Sequence, residues 1–140
     1  MIWSQRSRVT STETLPLKQE TDIVIIRQRV RKAAEDARLG LVSQTKIVTA
    51  ASEIARNALI YGGGGECLLE RTFRDGRAAV RLIVADKGQG IADMNQAMVD
   101  GYTSGNGLGL GLSGARRLVD HFAIQSAQGE GTTVELWKWK

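Results

Sequence analysis

The run of residues 43–61 constrains the fold of this chain most, because it has the pattern of one long amphipathic helix followed at once by four glycines. Its polar face includes Glu53 and Asn57, which are one helical turn apart and therefore neighbours on the helix surface. On these residues alone, that face predicts an ordinary solvent-exposed surface. The apolar residues share one continuous arc, which is typical of a helix packed on a core: Ile47, Val48, Ala51, Ile54, Ala55, Ala58 and Leu59.

A strand and another helix are predicted before this run. Residues 14–20 alternate between polar and apolar and predict a short strand, in which Pro16 favours an edge position. Asp22 is the expected N-cap of a helix that continues to about Arg38. Ser43 is the expected N-cap of the long helix.

The second half of the chain predicts two strand hairpins with a helix between them. Asp75 and Gly76 form a strong two-residue turn signal between two alternating runs. Met98 belongs to a less regular stretch that predicts at most a short helical turn. The expected elements are strands over residues 66–74 and 77–86, a helix over 109–122, and strands over 123–128 and 132–137.

This order of elements predicts an α/β (α+β) two-layer sandwich. Its expected form is a mixed, mainly antiparallel sheet of about four to five strands with three helices on one face. At 140 residues the chain is large enough for one core and too short for two. We therefore expect residues 1–10 to form a flexible N-terminus and residues 11–140 to form a single domain.

Charge and composition argue against several classes of function. The net charge is +4, but the basic residues are spread along the chain and aromatic residues are few, so nucleic acid is not an expected partner. No apolar run approaches the roughly 20 residues of a membrane span. The N-terminus has no apolar signal-peptide core, which indicates a cytoplasmic location. The single cysteine, Cys67, lies in a strand-like run and is expected to be buried rather than reactive.

Glycine-rich motifs in the second half carry the functional signal. Gly109, Gly111 and Gly114 match the dinucleotide-binding pattern, but no strand leads into them and no βαβ unit encloses them, so we reject that interpretation. The P-loop pattern does not occur. Four motifs follow one another instead: Glu53 with Asn57 on a helix, Asp86 with Gly88 and Gly90 after a strand, alternating glycines from Gly105 to Gly111, and a Gly-Glu-Gly-Thr sequence ending at Thr132.

These four motifs resemble those of the GHKL nucleotide-binding family, which includes gyrase, MutL, histidine kinases and small bacterial switch kinases. The resemblance covers about residues 14–137 and implies the Bergerat fold. Residues 53–65 and 101–120 are most similar to RsbT-type serine/threonine switch kinases, which are related to anti-sigma regulatory factors.

The resemblance implies ATP and Mg²⁺ as cofactors and gives roles to individual residues. Asn57 would be the metal ligand, because Mg²⁺ takes hard oxygen ligands and few of them from the protein. Glu53 would accept a proton from the attacking hydroxyl as the catalytic base. Asp86 would accept a hydrogen bond from the adenine amine. The other expected nucleotide contacts are Gly88, Gly90, Ile91 and Thr132 around the base, and Gly105, Gly107, Leu108, Gly109, Leu110 and Gly111 in a lid over the phosphates.

The expected function is a serine/threonine kinase of a partner-switching stress-signalling module. It would phosphorylate a STAS-domain antagonist or scaffold protein and then be released to activate a phosphatase. The first alternative is an anti-sigma factor that sequesters a sigma factor. The second is a nucleotide-gated binding module without phosphoryl transfer.

Several residues have no firm role at this stage. Residues 102–112 lack the lid arginine of some anti-sigma relatives, so Arg56 is one source of compensating charge, although an exposed helix arginine is the simpler interpretation. Lys87 is unassigned. His121 is expected to pack or cap near a helix end, and Trp137 and Trp139 to pack on an edge strand.

Overall fold

A computed structural model of the chain describes residues 9–91, 98 and 111–140. In this part the strands form one sheet in the order β1-β2-β3-β5-β4, and every neighbouring pair is antiparallel. The predicted fold class is confirmed, with a fully antiparallel rather than mixed sheet among the described strands. The elements are β1 (Ser11–Leu17), α1 (Glu20–Asp36), α2 (Leu41–Ile60), β2 (Gly65–Arg74), β3 (Arg77–Asp86), α3 (Gly111–Arg117), β4 (His121–Ala127) and β5 (Gly131–Trp139).

The hairpin of β2 and β3 forms as its turn residues predict. Arg74 pairs with Arg77, and the two residues between them both have positive φ, 51° at Asp75 and 82° at Gly76. This is the conformation of a type I′ turn, whose twist matches that of the flanking strands. The turn fixes the register of the hairpin and so decides which side chains of β3 face the helices.

The core lies between the sheet and the helices. On β3, Val80, Leu82 and Val84 are at most 2% exposed, and on α2 the predicted apolar arc is buried, with Leu59 packed at its margin. Burial of each large apolar side chain stabilises the fold by about 1.5–3 kcal/mol. Cys67 is fully buried in β2, and burial raises the pKa of its thiol to about 12. Both the core-facing helix and the unreactive cysteine are therefore confirmed.

Both predicted helix caps are wrong by a few residues. The N-cap of α1 is Gln19, and Asp22 lies within the first turn, where its Oδ2 accepts the backbone N–H groups of Lys18 (2.8 Å) and Gln19 (3.1 Å). A carboxylate at the third helical position reaches back to the N–H of the N-cap residue, which is the reciprocal bond of a capping box. The N-cap of α2 is Gly40, so Ser43 is likewise in the first turn.

The bounds of four further elements and the environment of one tryptophan differ from expectation. Strand β1 is the predicted edge strand but starts and ends three residues early. The helix expected to reach Phe122 ends at Arg117, because His121 and Phe122 pair with β5. β4 begins two residues before the predicted 123–128 and ends one residue early, and β5 extends beyond the predicted 132–137 at both ends. Trp137 is not on an edge, since β5 lies between β3 and β4, and it is only 2% exposed.

Candidate active site

Asp86 lies at the end of β3, with a predicted site residue beside it on the next strand. In the sheet register it is opposite Gly65 on one side and Thr132 on the other. Side chains alternate along a strand, so Asp86 shares the helix-facing side with Val84, and Thr132 shares it with Val134. The structure therefore brings the predicted Asp86 and Thr132 together, under the helix layer.

The backbone is packed tightly around the Asp86 carboxylate. Its Oδ1 accepts the N–H of Gly88 at 2.8 Å, while Oδ2 has no hydrogen bond among the described residues. A Cβ on Gly62 would collide with this carboxylate, and a Cβ on Gly88 would collide with the Gly62 backbone. Only glycine fits at position 88, where the obstacle is backbone, while a larger residue at position 62 would push the carboxylate aside. Within the described residues, one carboxylate oxygen is available to accept a donor from a ligand.

A hydroxyl network that the sequence did not reveal supports Thr132 and Ile91. Ser126 Oγ accepts the N–H of Ile91 at 2.8 Å, donates to the carbonyl of Gly131 at 3.1 Å, and lies 2.8 Å from the Thr132 hydroxyl. Because Ser126 has one proton to donate, Thr132 is the donor in the last pair. The only available signal for Ser126 was its position near Thr132 across the predicted hairpin, and the pairing of these two residues depends on which residues form the turn.

Gly90 connects the loop after β3 to the same hairpin. Its φ is 76°, and a Cβ there would collide with the carbonyl of Ala127. Glycine is therefore required both by conformation and by space. Ile91, the next residue, is half-buried and packs against the core.

Glu53 and Asn57 lie on the half-buried polar side of α2, one turn apart. The helix ends at Ile60, and Gly62 directly contacts the region of Asp86. Asn57 is five residues before Gly62, about 7.5 Å at the helical rise per residue. Asn57 is thus held near the end of α2 that meets Asp86, and Glu53 lies one turn further along the helix, about 13.5 Å from Gly62.

The donor set fits a metal held mainly by a ligand's own oxygens. Across the described residues, no group of three or more His, Cys, Asp or Glu could hold a metal ion. Mg²⁺ bound together with phosphates needs only one or two protein oxygens, and the Asn57 carboxamide can supply one without adding negative charge.

The predicted lid is described only at its end. Gly111 is buried, has φ 70°, and begins α3, which packs on α2. Gly105, Gly107, Leu108, Gly109 and Leu110 lie outside the described residues. Of the predicted short helical turn, only Met98 is described, and it packs against the core.

Comparison with known proteins identifies the family. Residues 42–140 match the family described as histidine kinase-, DNA gyrase B-, and HSP90-like ATPase. The chain belongs to this GHKL family. The matched segment runs from the second residue of α2 to the end of the chain, and it therefore contains every described site residue named above. A nucleotide-binding ATPase domain is consistent with the open carboxylate of Asp86.

Relatives within the GHKL family agree with the predicted branch. The chain is 42% identical to "Serine/threonine-protein kinase RsbT" of Bacillus subtilis over 120 residues, covering 86% of this chain and 90% of the relative. It is 34% identical to an anti-sigma F factor of Pasteuria penetrans, covering 79% of each. The RsbT-type assignment is confirmed, and with it the expectation of a serine/threonine protein kinase.

Solved structures share the fold. The RsbU and RsbW domains of a Mycobacterium tuberculosis protein give a TM-score of 0.60 at 20% identity, covering 92% of this chain and 32% of that one. The SiaB–SiaC complex of Pseudomonas aeruginosa gives 0.56 at 14% identity, covering 99% and 94%. No helix in the described part of the chain is long and apolar enough to cross a membrane.

Proposed function

We propose that this kinase transfers the γ-phosphoryl group of Mg²⁺–ATP to a serine or threonine of a STAS-domain antagonist or scaffold protein in the cytoplasm. The observation that carries the proposal is the packing of Gly62 against Asp86, from which Asn57 and Glu53 lie about 7.5 Å and about 13.5 Å back along α2. A proton acceptor, a metal ligand and a base-recognition carboxylate are the groups that phosphoryl transfer from ATP requires.

Asp86 and its neighbours would hold the adenine. The free carboxylate oxygen accepts the exocyclic amine, a donor that guanine lacks at that position, so the site favours ATP over GTP. Gly88 and Gly90 let the backbone approach the base, and Ile91 provides an apolar contact. Thr132, fixed by Ser126, offers a second polar contact.

Glu53 and Asn57 would act at the phosphate end. The Asn57 carboxamide oxygen holds the metal, which when bound neutralises charge on the phosphates. Glu53, one turn earlier, accepts the proton of the attacking hydroxyl. Residues 105–111 would close over the phosphates with backbone N–H groups, as the family resemblance implies.

Phosphorylation would also switch partners. A phosphate adds nearly two negative charges to the substrate and breaks its contact with the kinase. The released kinase would then bind and activate a phosphatase. The high identity to an RsbT kinase over most of both chains supports this role.

An anti-sigma factor is the second candidate. Its support is the set of anti-sigma F factors that match at 30–34% identity. In this case the chain would bind a sigma factor directly, and phosphorylation of an antagonist would reset the complex. Pull-down with a purified sigma factor and with a STAS-domain protein separates the two candidates.

The test of the proposed kinase activity is the Glu53→Ala variant. We expect ATP affinity close to that of the parent and a fall of about 10²–10⁴-fold in phosphate transfer, the usual contribution of a general base. Transfer is measured with radiolabelled ATP and a panel of purified STAS-domain proteins. Glu35→Ala, which removes an exposed carboxylate of α1, is the matched control. Labelling by Glu53→Ala at the parental rate would exclude the assigned role.

Asn57→Ala tests the metal site separately. We expect ATP binding by this variant to lose its dependence on Mg²⁺, measured by calorimetric titration with and without EDTA. If the variant keeps the parent's Mg²⁺ dependence, Asn57 is not the metal ligand.

A further inference from the structure

A cavity of about 230 Å³ lies at the end of the molecule opposite Asp86. It is formed where the end of α1 meets the turn end of the β2–β3 hairpin and the C-terminal end of β5. Each strand of that hairpin is ten residues long, so this end is about 30 Å from the Gly65–Asp86 end. Among the residues lining it are Arg38, Arg71 and Lys140, together with Asp36, Thr72 and Phe73.

Cations in this cavity exceed the anions that could balance them. The Asp36 carboxylate accepts a hydrogen bond from Lys32 at 3.0 Å and lies 3.4 Å from the Arg71 guanidinium. Its negative charge is therefore already shared by two cations. Arg38 and Lys140 form no side-chain ion pair within residues 9–91, 98 and 111–140. These basic side chains come from distant parts of the sequence and meet only in the fold. The terminal carboxylate of Lys140 is a second anion beside Asp36, so the three basic side chains leave a small positive excess and the cavity is complementary to a single carboxylate.

Arg38 occupies a backbone position that normally belongs to glycine. Its φ is 61°, and it follows the cap of α1 in a Schellman arrangement, with the N–H of Arg38 bonded to Glu35 O and that of Leu39 bonded to Ala34 O. These bonds satisfy the last carbonyls of the helix, which would otherwise repel an anion. This conformation is strained for arginine, and residues held in such conformations cluster at functional sites. We therefore take the Arg38 side chain as a candidate for binding.

Large apolar side chains are exposed at the same end. Leu41 is 73% exposed and Val42 69% exposed, immediately after the turn that holds Arg38, and Phe73 of the cavity wall is 39% exposed. A free inorganic anion would gain nothing from contact with these apolar side chains. Apolar anchors beside arginine are instead typical of surfaces that bind proteins.

We propose that this end of the molecule is a docking surface for an acidic segment of a partner protein. A carboxylate side chain of that segment enters the cavity between Arg38 and Lys140, and apolar neighbours pack on Leu41 and Val42. The surface lies far from Asp86, so a partner can occupy it while nucleotide and substrate occupy the other end. The inference does not depend on the proposed kinase activity.

The test measures binding of a short fluorescein-labelled peptide that alternates leucine and glutamate, by fluorescence anisotropy on the full chain. We expect saturable binding to the parent and binding about tenfold weaker for Arg38→Gly and for Lys140→Gln, as for loss of a hydrogen bond to a charged group. Arg38→Gly should melt at or above the parent's temperature, because glycine relieves the left-handed conformation. Arg27→Gln, another exposed arginine of α1, should bind within twofold of the parent.

Several results would overturn the proposal. They are no saturable binding to the parent, equal binding of the same peptide with glutamine in place of glutamate, equal loss in Arg27→Gln, or unchanged binding in both cavity variants. Two results together would assign the cavity to free anions instead. They are complete competition by millimolar inorganic phosphate and equal binding of a peptide with serine in place of leucine. If Arg38→Gly lowers the melting temperature, Lys140→Gln decides the outcome.

Discussion

Asp86 has one carboxylate oxygen bonded to Gly88 and another without a hydrogen bond in the described region, and this asymmetry gives a specific prediction. In Asp86→Asn the charge is lost and the amide can turn a donor toward the base. We expect ATP affinity to fall about 10–100-fold, as for a hydrogen bond to a charged group, and the preference for ATP over GTP to shrink. Calorimetry with both nucleotides measures this, with Glu35→Gln as the control. Unchanged ATP affinity would show that Asp86 does not contact adenine.

Gly62 tests the same carboxylate from the other side. A methyl group at Gly62 would collide with Asp86, so Gly62→Ala should displace the carboxylate and weaken ATP binding about as much as Asp86→Asn. Gly40→Ala is the matched control, because a Cβ at Gly40 meets nothing within 4 Å. If both alanine variants bind ATP equally well, the packing of Gly62 under Asp86 has no role in binding.

Sequence reasoning placed Asp86 and Thr132 at strand ends, where the register then brought them together. It did not find Ser126, because that residue meets Thr132 only when the turn lies over residues 128–130, one residue earlier than the predicted turn over 129–131. It also treated the basic residues as dispersed. Arg38 and Lys140 are far apart in the chain, and no local pattern shows that the fold brings them to one cavity.

At the scale of elements, the long helix and the β2–β3 hairpin were predicted well because each has a strong periodic signal and a clear stop. The third helix was predicted too long because its sequence has no clear stop signal. Leu118, Val119 and Phe122 suit the inner side of a helix, yet Phe122 also suits the inner face of a strand. His121 and Phe122 form a strand because they pair with β5. Tertiary pairing of this kind is not encoded in the local sequence.

Asp22 gives a prediction about how α1 begins. Its carboxylate accepts two backbone N–H groups while being 7% exposed. Asp22→Ala should therefore lower the free energy of unfolding by about 1–2 kcal/mol, the usual cost of losing a helix cap. Urea denaturation followed by circular dichroism measures the change. Asp22→Asn keeps an acceptor oxygen and should lose clearly less, and equal losses in the two variants would contradict the capping role.

At the scale of the whole molecule, the two faces of the sheet carry different kinds of side chain. The helix-facing side carries the core and the nucleotide-site residues Asp86 and Thr132. The other side carries a polar network across three strands, in which Arg81 binds Glu70 (3.0 Å) and Glu135 (2.6 Å). Trp137 adds a hydrogen bond to Glu135 at 2.6 Å. This network joins β2, β3 and β5 independently of the core.

The network predicts how the stability of the whole fold depends on pH. Burial alone would raise the pKa of Glu135, but hydrogen bonds from Arg81 and Trp137 outweigh it and hold that pKa below its usual value. A carboxyl whose folded pKa is depressed stabilises the fold fully above its unfolded pKa, about 4.3, and loses that contribution as the pH falls through its folded pKa. The parent should therefore be more stable than Glu135→Gln at pH 7, and the gap should narrow as the pH falls below about 4.3.

Urea denaturation of the parent and of Glu135→Gln at a series of pH values measures this gap. Glu130→Gln, on the exposed turn between β4 and β5, removes one carboxylate without touching Arg81 and controls for the change in net charge. A gap between the parent and Glu135→Gln that stays constant from pH 7 to pH 3 would mean that the ionised form of Glu135 is not what stabilises the sheet. The difference in free energy of unfolding would then come from packing around Trp137, because that packing does not change when the carboxylate takes up a proton.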